Sequence, residues 1–166
     1  MNDIAPPPPP RVPFASRSEH EGALAAIFGA ARRELRIFDQ HCAELGLNSP
    51  ARFDALRQFL LSSRVHRLYI AVHDTGYLAA RCPRMGLLLR QFSHAIVVQK
   101  TRRELHSLTD NFIVADEAAY LKQFHFEHPR GVLGAEDPME IQALRMRFDE
   151  IWLNSTPGLS ATTIGL

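Results

Sequence analysis

Acidic residues and histidines follow several apolar runs of the sequence, at the points where strands would end. Asp39 and His41 follow one such run. His73 and Asp74 follow a second run, and Asp116 follows a third. Ligands of open α/β sheets bind beyond the carboxyl ends of the strands, so we expect these five side chains to form one ligand-binding rim. Carboxylates beside imidazoles could carry out acid–base chemistry there, although polar residues are also common wherever strands reach the surface.

A small basic cluster comes after another apolar run. Lys100, Arg102 and Arg103 could contact phosphate groups of a ligand. The chain has 19 basic and 18 acidic residues, and in such a balanced sequence three neighbouring cations are more often a solvated loop. These residues are therefore candidate phosphate contacts, with a solvated loop as the alternative interpretation.

Metal-ligating residue types occur at one place, where His125 and His128 are three positions apart. A zinc site needs further ligands, and residues three apart on one strand point to opposite faces of a sheet. We therefore predict no metal site and no cofactor. The two cysteines, Cys42 and Cys82, are not in a Cys-x-x-Cys pair, and we expect them to be free buried thiols.

Sequence motifs of several large enzyme classes are absent. The chain has no phosphate-binding P-loop, no Gly-x-Gly-x-x-Gly and no Gly-x-Ser-x-Gly, so nucleotide hydrolysis, dinucleotide redox chemistry and serine-hydrolase chemistry have no support. A net charge of +1 gives no global attraction to nucleic acid or to anionic lipid. No apolar run approaches the roughly 18 residues of a membrane span, and no secretory signal opens the chain. We expect a cytoplasmic protein with no specific nucleic-acid partner and no membrane span.

Helices and strands alternate along most of the chain, which predicts an α/β fold. A hairpin and a final helix complete the pattern, and the final helix opens on a capping box at Asp137–Glu140. We therefore expect a mixed β-sheet flanked by helices on both faces. The predicted helices cover residues 18–33, 50–62, 77–81, 83–92 and 137–155, and the predicted strands cover residues 35–39, 65–72, 95–99, 112–115 and 119–124.

The first 17 residues differ in composition from the rest of the chain. They contain five consecutive prolines, Pro6–Pro10, with Pro13 close behind. Proline fixes φ and lacks an amide donor, so this run favours polyproline II over helix or sheet. We predict a disordered proline-rich tail over residues 1–17 that contacts the body little, followed by a single α/β domain over residues 18–166.

Three segments of the chain are similar to segments of the phospholipase D-like superfamily. They are Leu87–Phe92, which forms a helix before a strand, Thr109–Asp116, and Arg147–Trp152, which resembles the Phe-x-x-x-Trp helix that closes such domains. The resemblance covers residues 34–155. It is nearest to a small bacterial family of degenerate phospholipase D-like domains, some of whose relatives are fused to acetyltransferases. The resemblance implies the superfamily's fold, a phospholipase D-like mixed sheet between helical layers.

The superfamily's signature, His-x-Lys-x4-Asp, is largely replaced in this chain. With Asp116 as the aspartate, Thr109 stands at the histidine and Asn111 at the lysine, while Gln123–Phe126 does not match the Gly-Ser-x-Asn type stretch that follows. In the superfamily a histidine attacks phosphorus and lysines stabilise the developing charge. Threonine and asparagine can do neither, so the resemblance implies that the usual chemistry has been lost.

Three functions are compatible with these observations. The first is a non-catalytic binding or assembly module that recognises a phosphate-bearing ligand or a protein, as a homodimer or beside an acetyltransferase. The second is a phosphodiesterase or phosphatidyl-type transferase that uses displaced residues such as His73, His106 or His125. The third is an unrelated small-molecule α/β enzyme that works from the rim of Asp39, His41 and His73. We favour the first, because the catalytic residue types are missing.

Overall fold

The computed structural model describes residue 5 and residues 7–164. In this part of the chain, eight strands form one sheet and six α-helices pack around it. The strands are β1 (Arg11–Phe14), β2 (Glu34–Asp39), β3 (Arg67–Val72), β4 (Ile96–Thr101), β5 (Asn111–Ala115), β6 (Ala119–His125), β7 (His128–Ala135) and β8 (Ser155–Leu159). The helices are α1 (Arg17–Ala30), α2 (Pro50–Leu61), α3 (Gly76–Arg81), α4 (Pro83–Gln91), α5 (Pro138–Leu153) and α6 (Ala161–Ile164).

The sheet is mixed and has the strand order β1-β7-β6-β5-β2-β3-β4-β8. Strands β2, β3 and β4 are parallel, whereas β5 pairs antiparallel with β2 and begins the hairpins β5–β6 and β6–β7. We call the edge at which β2, β3 and β4 end the carboxyl edge. Because β5 runs in the reverse direction, it begins at the carboxyl edge and ends at the opposite edge.

Two apolar layers cover the two faces of the sheet. One face carries Ile37 and Ile70, which are fully buried beneath helices α1 to α4. The other face carries Phe38 and Phe112, which pack beneath α5. Alternate residues of each strand thus serve opposite layers, as the two-residue period of a strand requires. The predicted α/β fold, a mixed sheet with helices on both faces, is confirmed.

Local capping signals set the starts of the main helices. The side chain of Ser16 accepts a hydrogen bond from the Glu19 amide, so α1 begins before the predicted Ser18. The side chain of Ser49 caps α2, and Pro50 occupies its first turn. Asp137 caps α5 as its sequence predicts, with its side chain accepting from the Glu140 amide. Hydroxyl and carboxylate caps stabilise a helix because they satisfy amides that have no partner within it.

The prediction of a disordered tail over residues 1–17 is wrong for Arg11–Phe14. These residues form β1, which pairs antiparallel with β7 and places Val12 opposite Leu133. Phe14 is buried and its ring stacks on His20 at a centroid distance of 5.0 Å. A proline can occupy an edge strand, where its missing amide donor leaves no ladder bond broken. Residues 1–4 and 6 lie outside the described residues.

The strand at the other edge of the sheet was also not predicted from the sequence. Ser155–Leu159 forms β8, although Thr156–Gly158 is predicted to end the last helix. It pairs antiparallel with β4 and contains Pro157. Both outermost strands of the described sheet therefore contain a proline. Among the described residues, no helix has both the length and the apolar character needed to cross a membrane.

Candidate functional site

The predicted rim divides between the two edges of the sheet. Asp39, His41, His73 and Asp74 gather at the carboxyl edge, where the amides of His73 and Asp74 both donate to the Gln40 carbonyl oxygen, at 3.1 and 3.0 Å. Asp116 lies at the opposite edge because β5 is antiparallel to β2. The inclusion of Asp116 in the rim is therefore wrong, since the expectation treated every strand as parallel.

Asp116 holds the turn that leads from α1 into β2. Its carboxylate accepts hydrogen bonds from three backbone amides, those of Arg32 at 2.6 Å, Arg33 at 2.8 Å and Glu34 at 2.7 Å. Its own φ is +54°, in the left-handed region that aspartate tolerates better than most residues. These contacts give Asp116 a structural role that does not depend on any reacting group.

The carboxylates at the carboxyl edge are also engaged with backbone amides. Oδ1 of buried Asp39 accepts from the amides of His41 at 3.1 Å and Cys42 at 2.7 Å. Burial raises the pKa of Asp39, while these backbone donors act in the opposite direction. Oδ1 of exposed Asp74 accepts from the Gly76 amide at 2.6 Å. Both side chains thereby fix the turns that follow β2 and β3.

The imidazole of His73 is buried, and both of its nitrogens have partners. Nε2 lies 2.9 Å from the Leu108 carbonyl oxygen, and Nδ1 lies 2.6 Å from Oγ1 of Thr101. A carbonyl oxygen can only accept, so Nε2 carries the proton and Nδ1 accepts from the Thr101 hydroxyl. Burial lowers the pKa of His73, which favours this neutral form. The ring of His106 lies beside it, with centroids 4.7 Å apart.

A network of neutral amides fills the centre of the carboxyl edge. Oδ1 of Asn111 accepts from the Gln40 backbone amide at 3.1 Å, and its Nδ2 donates to Oε1 of Gln123 at 2.9 Å. Nε2 of Gln40 donates to the carbonyl oxygens of Leu108 and Asp110, both at 3.2 Å. All three side chains of this amide network, Gln40, Asn111 and Gln123, are buried. The polar atoms of these side chains therefore find their hydrogen-bond partners within the protein.

Sequence reasoning missed Gln40 and Gln123 as members of this edge. Gln40 follows the predicted rim residue Asp39 directly, and Gln123 lies within the predicted hairpin strand. Their signal was a polar amide inside an otherwise apolar stretch, which indicates a buried polar group that needs partners. Asn111 was singled out only for its place in the resemblance.

The two remaining positions of the Thr109–Asn111 segment differ in exposure and in charge. Thr109 is exposed, whereas Asp110 is partly buried and forms a two-contact ion pair with Arg147 of α5. This hydrogen bonding raises the pKa of Arg147 further. The guanidinium also lies over the ring of Phe112, 5.2 Å from its centroid. The charges of Asp110 and Arg147 thus neutralise each other.

The basic cluster lies at the end of β4, beside the carboxyl edge. Lys100, Arg102 and Arg103 are all exposed, and within the described residues none of them forms an ion pair. Thr101, between them in sequence, is buried and contacts His73. The cluster thus lies beside the carboxyl edge with no ion-pair partner among the described residues.

The tip of the β6–β7 hairpin contradicts the expectation that His125 and His128 diverge. They occupy opposite strands of the hairpin and pair directly across it, because Phe126 and Glu127 form the turn. One ligand atom from each of His125, Glu127 and His128 lies within 4.8 Å of the others. The expectation failed because it placed both histidines on one strand. Cys42 and Cys82 are free and buried, as predicted.

Residues 16–160 match the family described as "Domain of unknown function (DUF7931)". The chain belongs to the DUF7931 family. No curated protein matches it.

Solved structures place this DUF7931 domain among proteins of similar fold. Nuc from Salmonella typhimurium, a phospholipase D family member, has a TM-score of 0.63 and 14% identity over 92% of this chain and 100% of its own. TrmBL2, an archaeal chromatin protein described with a novel mode of DNA binding, has a TM-score of 0.67 and 10% identity over 94% of this chain and 56% of its own. Phosphatidylserine synthase from Haemophilus influenzae Rd KW20 has a TM-score of 0.60 and 15% identity over 93% and 40%. The DUF7931 domain thus has a phospholipase D-like fold, and it spans only about half of the length of TrmBL2 and less of the synthase.

Proposed function

We propose that the chain is a non-catalytic binding or assembly module built on a degenerate phospholipase D-like scaffold. The observation that carries this proposal is a pair of neutral residues, one at the first position of β5 and the other two residues before it. Thr109 and Asn111 stand where the resemblance places a nucleophilic histidine and a lysine. Asn111 is buried, and its side-chain amide accepts from the Gln40 backbone amide through Oδ1 and donates to Oε1 of Gln123 through Nδ2.

The chemistry of phosphoryl transfer requires groups that this edge lacks at those positions. A covalent mechanism needs a nucleophile with a free lone pair, and the developing negative charge needs a cation nearby. An amide supplies neither, and breaking the network of Gln40, Asn111 and Gln123 would leave buried polar groups unsatisfied. The hydrogen bonds of these three side chains therefore stabilise the fold and leave no group free for catalysis at these positions.

Displaced histidines are the alternative basis for activity. His73 is a poor nucleophile, because its Nε2–H donates to the Leu108 carbonyl and its Nδ1 accepts from Thr101. His106 is exposed beside it and His125 lies at the hairpin tip, on another part of the edge. Such an enzyme would be a phosphodiesterase or a phosphatidyl-type transferase, as the name of the phosphatidylserine synthase suggests.

The remaining alternative is an unrelated small-molecule enzyme that works from Asp39, His41 and His73. Oδ1 of Asp39 and Nδ1 of His41 already accept hydrogen bonds from backbone amides of the following turn. A general base has to reach the proton of its substrate. These side chains would therefore first have to break their hydrogen bonds to the backbone of the turn. This makes the third function weaker than the first.

The exposed cations beside the carboxyl edge support a phosphate-bearing ligand. Lys100, Arg102 and Arg103 are three exposed positive charges that precede His106 by three to six residues in the sequence. The ligand could be part of a protein partner, such as an acetyltransferase, or of a second copy of the chain. TrmBL2 is described with a novel mode of DNA binding, but the net charge of +1 does not favour an extended DNA contact by this chain. We further propose a cytoplasmic location.

Hydrolysis assays test the absence of catalysis. We expect no turnover of bis(p-nitrophenyl) phosphate or of short-chain phosphatidylcholine by the folded full chain. The variants His73→Ala, His106→Ala and His125→Ala serve as comparisons. Turnover that disappears when any one of these histidines is removed would overturn the proposal in favour of displaced catalysis.

Binding of pyrophosphate tests the ligand class, with the protein observed by ¹H–¹⁵N NMR. We expect amide shifts at the end of β4 that saturate in the wild type and weaken about tenfold in the double variant Arg102→Gln/Arg103→Gln. The matched control, Arg17→Gln/Arg90→Gln, removes two exposed charges elsewhere and should bind as the wild type does. Equal loss in both double variants would show a non-specific charge effect and would contradict the proposed site.

A further inference from the structure

We propose that the tip of the β6–β7 hairpin binds a divalent transition metal ion such as Zn²⁺ through His125, Glu127 and His128. The site is separate from the proposed ligand-binding function and does not depend on it. Two imidazoles and one carboxylate form a donor set that suits zinc, cobalt, nickel and copper better than magnesium or calcium.

The hairpin brings the three ligands together. His125 and His128 pair across the two strands, and their ring centroids are 5.6 Å apart. One ligand atom from each of the three residues lies within 4.8 Å of the others. Ligands at about 2.1 Å from a tetrahedral metal lie about 3.4 Å from one another, so a small rotation of the side chains closes the site. Glu127 and His128 are exposed and are free to make that rotation.

The backbone under the site is anchored to the amide network. Nε2 of Gln123 donates to the His128 carbonyl oxygen at 3.0 Å, and the Phe126 amide donates to the Thr109 carbonyl oxygen at 2.9 Å. These bonds hold both ends of the turn before any metal arrives. A turn that is already ordered loses less conformational entropy when it binds, which favours affinity.

Metal binding requires one local exchange at His125. Its Nδ1 now accepts from the Glu127 backbone amide at 3.2 Å. Binding through Nδ1 uses that lone pair, and binding through Nε2 requires Nδ1 to carry the proton, so this hydrogen bond is lost in either case. The Glu127 amide lies in an exposed turn, where water replaces the lost acceptor at little cost.

Three protein ligands leave a coordination position open. Zinc sites with three protein ligands hold water or an exogenous group in the fourth position. The proposed site is therefore one at which a metal could bind the chain to another molecule, as well as brace the hairpin. No reaction is required of it.

Zinc titration of the full chain, without an affinity tag, tests the proposal. Isothermal titration at pH 7.5 should show one Zn²⁺ per chain, and Co²⁺ should give the visible absorption bands of a low-coordinate nitrogen and oxygen site. His125→Ala and His128→Ala should each weaken binding at least tenfold, and Glu127→Gln should weaken it less. The control His94→Ala removes an exposed histidine of another loop and should leave the affinity unchanged.

Melting curves without metal establish that each variant is folded, and His128→Gln replaces His128→Ala if the latter melts at a lower temperature. Saturating Zn²⁺ should raise the melting temperature of the wild type and of His94→Ala, but not that of the ligand variants. Absence of wild-type binding below millimolar Zn²⁺ would overturn the site. The same would follow if all variants kept the wild-type affinity.

Discussion

The two ends of β5 show two different uses of a polar side chain. At the carboxyl edge, Asn111 is buried and bonds to other neutral amides. At the opposite edge, Asp116 is charged, partly exposed, and bonds to three backbone amides of the α1–β2 turn. Only five residues, Asn111–Ala115, form the strand between these two environments.

Under the proposal of a degenerate scaffold, this difference accounts for an aspartate at position 116 together with neutral residues at positions 109 and 111. The carboxylate of Asp116 holds the backbone of the α1–β2 turn, and this structural role needs no reacting group. If the chemistry has been lost as proposed, neutral residues can stand at positions 109 and 111, and Asn111 then has a structural role in the amide network. The presence of Asp116 alone therefore gives no argument for the activity of the superfamily.

Removal of the Asn111 side chain should have the largest effect. Asn111→Ala deprives the Gln40 amide and the Gln123 side chain of partners in a buried place, and we expect a loss of about 3–4 kcal/mol in the free energy of unfolding. Urea denaturation measures it. Thr109→Ala is the matched control, because Thr109 is exposed on the same segment, and it should change the stability by less than about 0.5 kcal/mol. Similar losses in both variants would show that the amide network is not the stabilising feature.

Replacement of Asp116 should have the next largest effect. Asp116→Ala removes the acceptor of three backbone amides. It also leaves at positive φ an alanine whose side chain makes no local hydrogen bond, so we expect a loss of about 2–3 kcal/mol in the free energy of unfolding. Asp116→Asn keeps one acceptor oxygen and tolerates that φ, so it should cost roughly half as much. If Asp116→Asn were as damaging as Asp116→Ala, the negative charge and not the turn geometry would be decisive.

The smallest effect should appear in the pH dependence of stability. Burial lowers the pKa of His73, so the unfolded chain binds more protons than the folded chain as the pH falls below about 6.5. Stability is therefore lost on acidification through that range. His73→Gln should reduce the decrease in urea midpoint between pH 7 and pH 5.

Two other histidines serve as references for the pH dependence of stability. His20 also has a pKa lowered by burial, so the His73 variant should weaken the dependence on pH without abolishing it. His94→Gln, at an exposed position, should follow the wild-type curve. A His73→Gln curve identical to that of the wild type would mean that the imidazole is not held in its neutral form.

Much of the fold could be predicted from the sequence, because its signals are local. The runs 35–39 and 112–115 are apolar strands, and the caps at Ser49 and Asp137 mark helix starts directly. The edge strands could not be predicted in this way, since their prolines usually argue against sheet structure. Pairing with β7 outweighs that preference for Arg11–Phe14, because the buried ring of Phe14 joins the core.

The candidate site was predicted less completely, because its geometry depends on strand direction. The rule that ligands lie beyond strand ends led us to expect Asp39, His41, His73 and Asp74 at one edge of the sheet, and they lie there. Their role in ligand binding stays a prediction. The rule failed for Asp116, since no local feature of the sequence shows that β5 runs antiparallel to β2. The convergence of His125 and His128 was missed for a related reason. To predict it, one has to know that a tight turn lies between the two histidines, and the sequence there resembles one continuous strand.

The prolines of the two outermost strands have a consequence for how copies of this chain could meet. Unpaired strand edges invite other chains to extend the sheet, which is a route to aggregation. Pro13 in β1 and Pro157 in β8 each remove an amide donor from such an edge. Both strands are also short, at four and five residues. Growth of the sheet from chain to chain is thus disfavoured on both sides, and a dimer would be expected to form through helical faces or loop edges and not through continuous β-structure.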